Sequence, residues 1–272
     1  MQTTITLNNG IKIPQVGLGV FRATTEEAEN AAKWALEAGY RHIDTAKAYG
    51  NESGVGKAVA ESGLHRSDIF ITTKLWNEDV RAHRTKEALE NSLKELQTEY
   101  IDLYLIHWPA DGFQDAWKEM EELYHDGKIK AIGVSNFHPH HLQDLAKIST
   151  VKPAIDQLES HPYMNNQKVI DYCKENGIQP EVWSPLGGKG AAPLADPKIS
   201  EIAQKYQKTP AQIIIRWHIQ RGVVVLPKSI HQDRITSNFD VFDFTLSDED
   251  MQAINALDRN QRVGSDPDNF DF

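Results

Sequence analysis

Cysteine is almost missing from this 272-residue chain: Cys173 stands alone. One thiol excludes an internal disulfide framework and suits a reducing compartment, so a cytoplasmic protein is expected. It lies in the helical-looking segment Ile170-Asp171-Tyr172-Cys173-Lys174, where a packed side chain is a better reading than a nucleophile. Excess positive charge is missing too. There are 29 Lys and Arg against 39 Asp and Glu, a net charge of −10 without a basic run, which argues against nucleic acid or an acidic membrane surface as partner. No apolar run approaches the roughly 20 residues needed to cross a bilayer, and Met1–Leu7 has no signal-peptide core.

The usual nucleotide loops are also absent. Gly17-Leu18-Gly19-Val20-Phe21-Arg22 carries Arg where a dinucleotide fingerprint needs its last glycine, and Gly56-Lys57 has Asn51 where a phosphate loop needs its first. Gly133-Val134-Ser135-Asn136-Phe137 lacks the closing glycine of a nucleophile elbow. No His-Glu-x-x-His occurs. His138-Pro139-His140-His141 has the look of a metal cluster, but no carboxylate or thiol supports it in sequence, so it reads as a solvated helix start and no metal is expected.

What the chain does have is repetition. Thr4–Ile13 alternates around Asn9-Gly10, a hairpin signal. Apolar strands then begin near Val16, Arg41, Ile69, Ile101, Ile129, Ala154, Ile178 and Val223, with helical patterns between them. The expected helices cover about 25–39, 85–96, 114–125, 141–147, 167–176, 199–207, 211–220, 233–241 and 247–257. Near-continuous apolar strands suit a parallel sheet covered on both faces, and about 250 residues suffice for eight βα units. No Ser/Gly/Pro-rich linker divides them. The expectation is one α/β domain over residues 1–272, a (β/α)8 TIM barrel with an N-terminal β-hairpin. A doubly wound sheet is the weaker alternative, lacking its phosphate-binding glycines.

In such a barrel chemistry belongs at the carboxyl ends of the strands. Those ends read Phe21; Asp44 with Tyr49; Lys74 with Trp76; His107 with Trp108; Ser135-Asn136; Gln157; Trp183-Ser184; and Lys228-Ser229. Asp44 and Tyr49 alone fit a buried Asp that pairs with a structural lysine beside a loop-filling Tyr. With Lys74 and His107 they fit an acid–base site in which a lysine ammonium lowers the pKa of a phenol, ordinarily about 10. Hydride addition to a carbonyl builds charge on oxygen and needs such a donor; Phe21, Trp76 and Trp108 would supply an apolar rim. The short loop Gly187–Pro193 and the short tail after Asp258 predict an open pocket.

Three segments carry a family resemblance: Gly39-Tyr40-Arg41-His42-Ile43-Asp44-Thr45-Ala46, Gly133-Val134-Ser135-Asn136-Phe137, and Leu226-Pro227-Lys228-Ser229 with Arg234 and Asn238. Over nearly its whole length the chain resembles the aldo-keto reductase family, most of all the small prokaryotic group that includes diketogluconate and glyoxal reductases. The resemblance implies a monomeric, NADPH-dependent reductase of aldehydes and ketones (small aldehydes, dicarbonyls or keto sugars), with NADH a weaker substitute. It implies a tetrad of Asp44, Tyr49, Lys74 and His107, with Tyr49 as general acid. Ser135, Asn136 and Gln157 would bind the nicotinamide carboxamide and Trp183 would stack on its ring. Ser184 to Leu186 would line the pyrophosphate, and Lys228, Ser229, Arg234 and Asn238 the adenosine phosphate; Phe21 and Asp44 complete the cofactor contacts. A non-catalytic binding or regulatory barrel is the alternative from another class. An isomerase or aldolase barrel with a metal or a Schiff-base lysine would leave the Lys228-Ser229…Arg234 arrangement unexplained.

Overall fold

A computed structural model of the chain describes residues 2–272. Its elements alternate as the apolar runs require. In chain order they are β1 (Thr4–Thr6), β2 (Lys12–Pro14), β3 (Leu18–Gly19), α1 (Thr25–Ala38), β4 (His42–Asp44), α2 (Glu52–Glu61), β5 (Phe70–Leu75), α3 (Asn77–Arg81), α4 (Thr85–Glu95), β6 (Leu103–Ile106) and α5 (Phe113–His125). There follow β7 (Ile132–Ser135), α6 (Pro139–Ala146), β8 (Ile155–Glu159), α7 (Gln167–Glu175), β9 (Gln179–Trp183), α8 (Pro197–Tyr206), α9 (Pro210–Gln220), β10 (Val224–Val225), α10 (Gln232–Phe239) and α11 (Asp248–Asn255).

Strands β3 to β10 form one parallel sheet in sequence order. Its two edges meet: Gly17 N–H donates to Val225 O at 2.9 Å, Val225 N–H to Gln15 O at 2.9 Å and Gly19 N–H to Pro227 O at 3.1 Å. This closes the (β/α)8 barrel and leaves no free edge. The antiparallel β1–β2 hairpin caps its amino-terminal end, where Leu7 and Ile13 pack on Phe70, Leu103, Ala131 and Val224. The main core lies outside the barrel, between the strands and the apolar helix faces. No helix among the described residues is long and apolar enough to cross a membrane.

Helix α1 starts at a capping box. The Thr24 hydroxyl accepts from Glu27 N–H, the Glu27 carboxylate accepts from Thr24 N–H, and Gly39 ends the helix at φ 104°. Two helices had no counterpart in the sequence pattern, α2 and the short α3. Helix α2 carries Gly54 and Gly56, poor helix formers. A Cβ at Gly54 would stand 2.2 Å from Thr25 O, and one at Gly56 2.6 Å from the Leu96 carbonyl carbon. These glycines let α2 touch the backbone of its neighbours, and that close approach outweighs the propensity.

Candidate active site

The carboxyl ends of the strands surround a cavity of about 1090 Å³. At its base Lys74, fully buried in β5, reaches the last residue of β4. Its Nζ donates to both oxygens of Asp44, at 2.7 and 2.8 Å, and to Thr45 O at 2.8 Å, and lies 3.5 Å from Tyr49 Oη. Tyr49 arrives on the 3-10 turn Lys47–Tyr49 just beyond β4. His107, one residue past β6, sets its ring 5.7 Å from that of Tyr49. The structure therefore brings together the four residues that sequence reasoning paired.

Charge in this cluster is a contest between burial and contact. Burial pushes Asp44 upward against Lys74. Burial pulls Lys74 down, but Asp44 and Tyr49 outweigh it, so the net shift is upward. The bidentate contact and the amide of Gln157 on Asp44 argue for carboxylate and ammonium. The phenol departs from expectation. Burial raises Tyr49 above its ordinary value; Lys74 pulls the other way, and Asp44 adds to the rise. Lys74 limits that rise instead of producing a net fall, and the phenol keeps its proton at neutral pH. Burial, then Lys74, hold His107 well below the ordinary histidine value, so its imidazole is neutral.

One polar wall follows from the ends of β7 and β9 and the middle of β8. Ser135 Oγ donates to Gln157 O at 2.9 Å, Asn136 Nδ2 to His107 O at 3.0 Å, and Trp183 Nε1 to Asn136 Oδ1 at 2.9 Å. Phe21, Trp76, Trp108, Ser184, Leu186 and Lys228 line the same cavity. Ser229, Arg234 and Asn238 do not: Ser229 accepts from His231 N–H at 3.1 Å in the turn before α10, and Arg234 and Asn238 sit on that helix.

The tail, short as it is, forms one wall of the pocket. Val263, Gly264, Ser265 and Phe272 help to line the cavity. Phe272 stacks parallel to Trp76 at 5.8 Å and meets the edge of Trp108 at 5.1 Å. Its carbonyl accepts from Asn77 and Arg81 at 3.1 and 2.9 Å. Gly264 is required where it stands, since a Cβ there would fall 2.3 Å from the Trp183 ring. The anchor is Glu159, whose carboxylate accepts from Val263 and Gly264 N–H at 2.6 and 3.1 Å. Only Phe270 and Phe272, aromatic in a polar tail, hinted at this in the sequence.

Glu181 was also missed. Gln157 Nε2 donates to Glu181 Oε2 at 2.7 Å and to Asp44 Oδ2 at 2.8 Å, so one amide joins the two carboxyl groups. Burial, then the nearby Asp44, raise Glu181 to about 8, while burial lowers His42 to about 3. Both shifts weigh against an ion pair across their 3.8 Å contact.

A closed βα-barrel with a lysine-backed phenol and a neutral imidazole at its carboxyl end belongs to the class of acid–base barrel enzymes. A sequence profile described as the aldo/keto reductase family matches residues 15–259. A glyoxal reductase of Bacillus subtilis (strain 168) is 49% identical over 274 residues, covering 100% of this chain and 99% of that protein. Methylglyoxal reductase DkgA of Escherichia coli (strain K12) is 51% identical over 274 residues, 98% of each. The crystal structure of MGS-M4, an aldo-keto reductase from a Medee basin deep-sea metagenome library, superposes with TM-score 0.96 at 47% identity, over 99% of this chain and 100% of that one. A Bombyx mori aldo-keto reductase in complex with NADP gives TM-score 0.92 at 37% identity, over 98% of this chain and 96% of that one. The chain belongs to the aldo-keto reductase family, and it is an NAD(P)H-dependent oxidoreductase that acts on carbonyl groups.

Proposed function

We propose that this enzyme reduces small aldehydes and α-dicarbonyls with NADPH, that Tyr49 delivers the proton, and that it works as a cytoplasmic monomer. The observation that carries the reading is Lys74, fully buried and held by both oxygens of Asp44 while its Nζ faces Tyr49 Oη at 3.5 Å. An ammonium there stabilises the phenolate left after proton transfer. The neutral His107 donates an N–H to the substrate oxygen without adding a charge that would compete with Lys74. Phe21, Trp76, Trp108 and Phe272 keep water from the reacting carbonyl.

The cavity suits the cofactor. It has an indole wall at Trp183, an amide acceptor at Gln157, whose N–H groups are held by Asp44 and Glu181, and the cation Lys228 in its lining. When bound, NADPH supplies the hydride to the carbonyl carbon. Ser135, Asn136 and Gln157 would hold its carboxamide, Trp183 would cover the ring, and Ser184 and Leu186 would flank the pyrophosphate. Lys228 and, beyond the cavity on and before α10, Ser229, Arg234 and Asn238 would take the adenosine phosphate. The names of the two bacterial relatives favour glyoxal-type dicarbonyls as substrates. A carbonyl panel followed by NADPH absorbance tests this; failure to turn over glyoxal, methylglyoxal and simple aldehydes would overturn it.

Two expectations concern specificity. Arg234→Ala should lower the ratio of kcat/KM for NADPH over NADH by about 10–100-fold, the worth of a hydrogen bond to a charged group. An unchanged ratio would remove Arg234 from cofactor choice. Phe272→Ala should raise KM for an aromatic aldehyde about 2–10-fold with little change in kcat, since an aromatic contact contributes about 0.5–1.5 kcal/mol. Equal kinetics for the variant would mean that the tail does not touch substrate.

A further inference from the structure

The histidines at the start of α6 have no part in the chemistry above, yet they converge on a carboxylate 130 positions from His138 in sequence. His138 Nδ1 lies 2.8 Å from Asp268 Oδ2, and His140 Nε2 and His141 Nε2 lie 3.0 and 3.4 Å from Asp268 Oδ1. One donor atom from each of the four residues falls within 4.8 Å of all the others. The carboxylate support missing from the local sequence thus comes from the tail. Four donors at ~2.0–2.2 Å around a tetrahedral ion stand about 3.4 Å apart. The carboxylate–imidazole contacts of 2.8 to 3.4 Å need to open by up to about 0.6 Å, and the wider pairs of donors, within 4.8 Å of one another, need to close, adjustments within reach of side-chain rotation.

We propose that His138, His140, His141 and Asp268 form a binding site for a divalent transition-metal cation of the zinc, cobalt or nickel kind, which clamps the C-terminal tail to the start of α6. The donor set selects the ion: three imidazoles favour these metals over magnesium or calcium, which prefer all-oxygen ligands. Two groups oppose binding. Arg262 donates to His138 Nε2 at 3.1 Å, and the His138 backbone N–H donates to His141 Nδ1 at 3.1 Å. Each contact favours the tautomer with its proton on the nitrogen that faces Asp268, so the cation must displace those protons. Arg262 is partly exposed and can turn to water. The clamp bears on the pocket because Phe270 and Phe272, just beyond Asp268, pack on Trp108.

The test is a titration of the full-length protein, without an added histidine tag, with Co2+. Its d–d absorption in the visible reports four-coordinate binding. A one-to-one complex that Zn2+ displaces is expected. His140→Ala and Asp268→Asn should each weaken it at least as much as the loss of an outer-shell partner does, about 10–100-fold, and Arg262→Gln should tighten it. All three changes are at the surface, and reductase activity reports that the variants are folded. Absence of four-coordinate bands overturns the site. So does binding unaltered in Asp268→Asn, which would assign the cation to the histidine loop alone.

Discussion

Tyr49→Phe is expected to lower kcat/KM for a simple aldehyde by about 10²–10⁴, the usual cost of a lost general acid, while affinity for NADPH, read by quenching of tryptophan fluorescence, stays nearly unchanged. The substitution removes one oxygen and keeps the ring, which packs 5.0 Å from Phe21 and 5.7 Å from His107. No large repacking accompanies it, so a loss of rate reads directly on the hydroxyl. Burial holds the phenol protonated at neutral pH, so the wild-type donor is loaded there and empties only when the pH rises through its elevated pKa. Activity in the wild type should thus hold through neutral pH and fall on the alkaline side, and the variant should lack that limb. A variant that keeps half its activity would take Tyr49 out of the mechanism.

The parts of this site that were legible in sequence share one cause. Parallel strands buried on both faces are largely apolar, so polar residues at or next to their carboxyl ends stand out, and Asp44, Lys74, His107 and Ser135 occupy such positions, whereas Gln157 lies in the middle of β8. Barrel closure followed from eight βα units in a row. Glu181 was missed because it lies in the middle of β9, two residues short of the strand end where chemistry was sought, and only the barrel interior shows it beside Gln157. The tail could not be read because it has no periodic pattern. Its path is set by backbone N–H groups on the carboxylate of Glu159, about a hundred residues earlier. Asp268 escaped for the same reason, so His138, His140 and His141 lacked their carboxylate on paper.

Lys74→Met should be as damaging to carbonyl reduction as Tyr49→Phe, Asp44→Asn should be milder, and the double variant should be no worse than Lys74→Met alone. Lys74 acts on the phenol directly, whereas Asp44 acts through Lys74, so their effects overlap instead of adding. Stability provides a second readout with the opposite pattern. Lys74→Met leaves the Asp44 carboxylate buried with Gln157 as its remaining donor, and breaking one side of a buried pair typically costs about 3–5 kcal/mol. Adding Asp44→Asn removes that stranded charge, so the double variant should unfold at a higher temperature than Lys74→Met. Asp44→Asn alone leaves the ammonium its contact with Thr45 O, which limits the loss of orientation. Additive rate losses would separate the two residues in function. A double variant less stable than Lys74→Met would show that the carboxylate and the ammonium are not held as a buried charged pair.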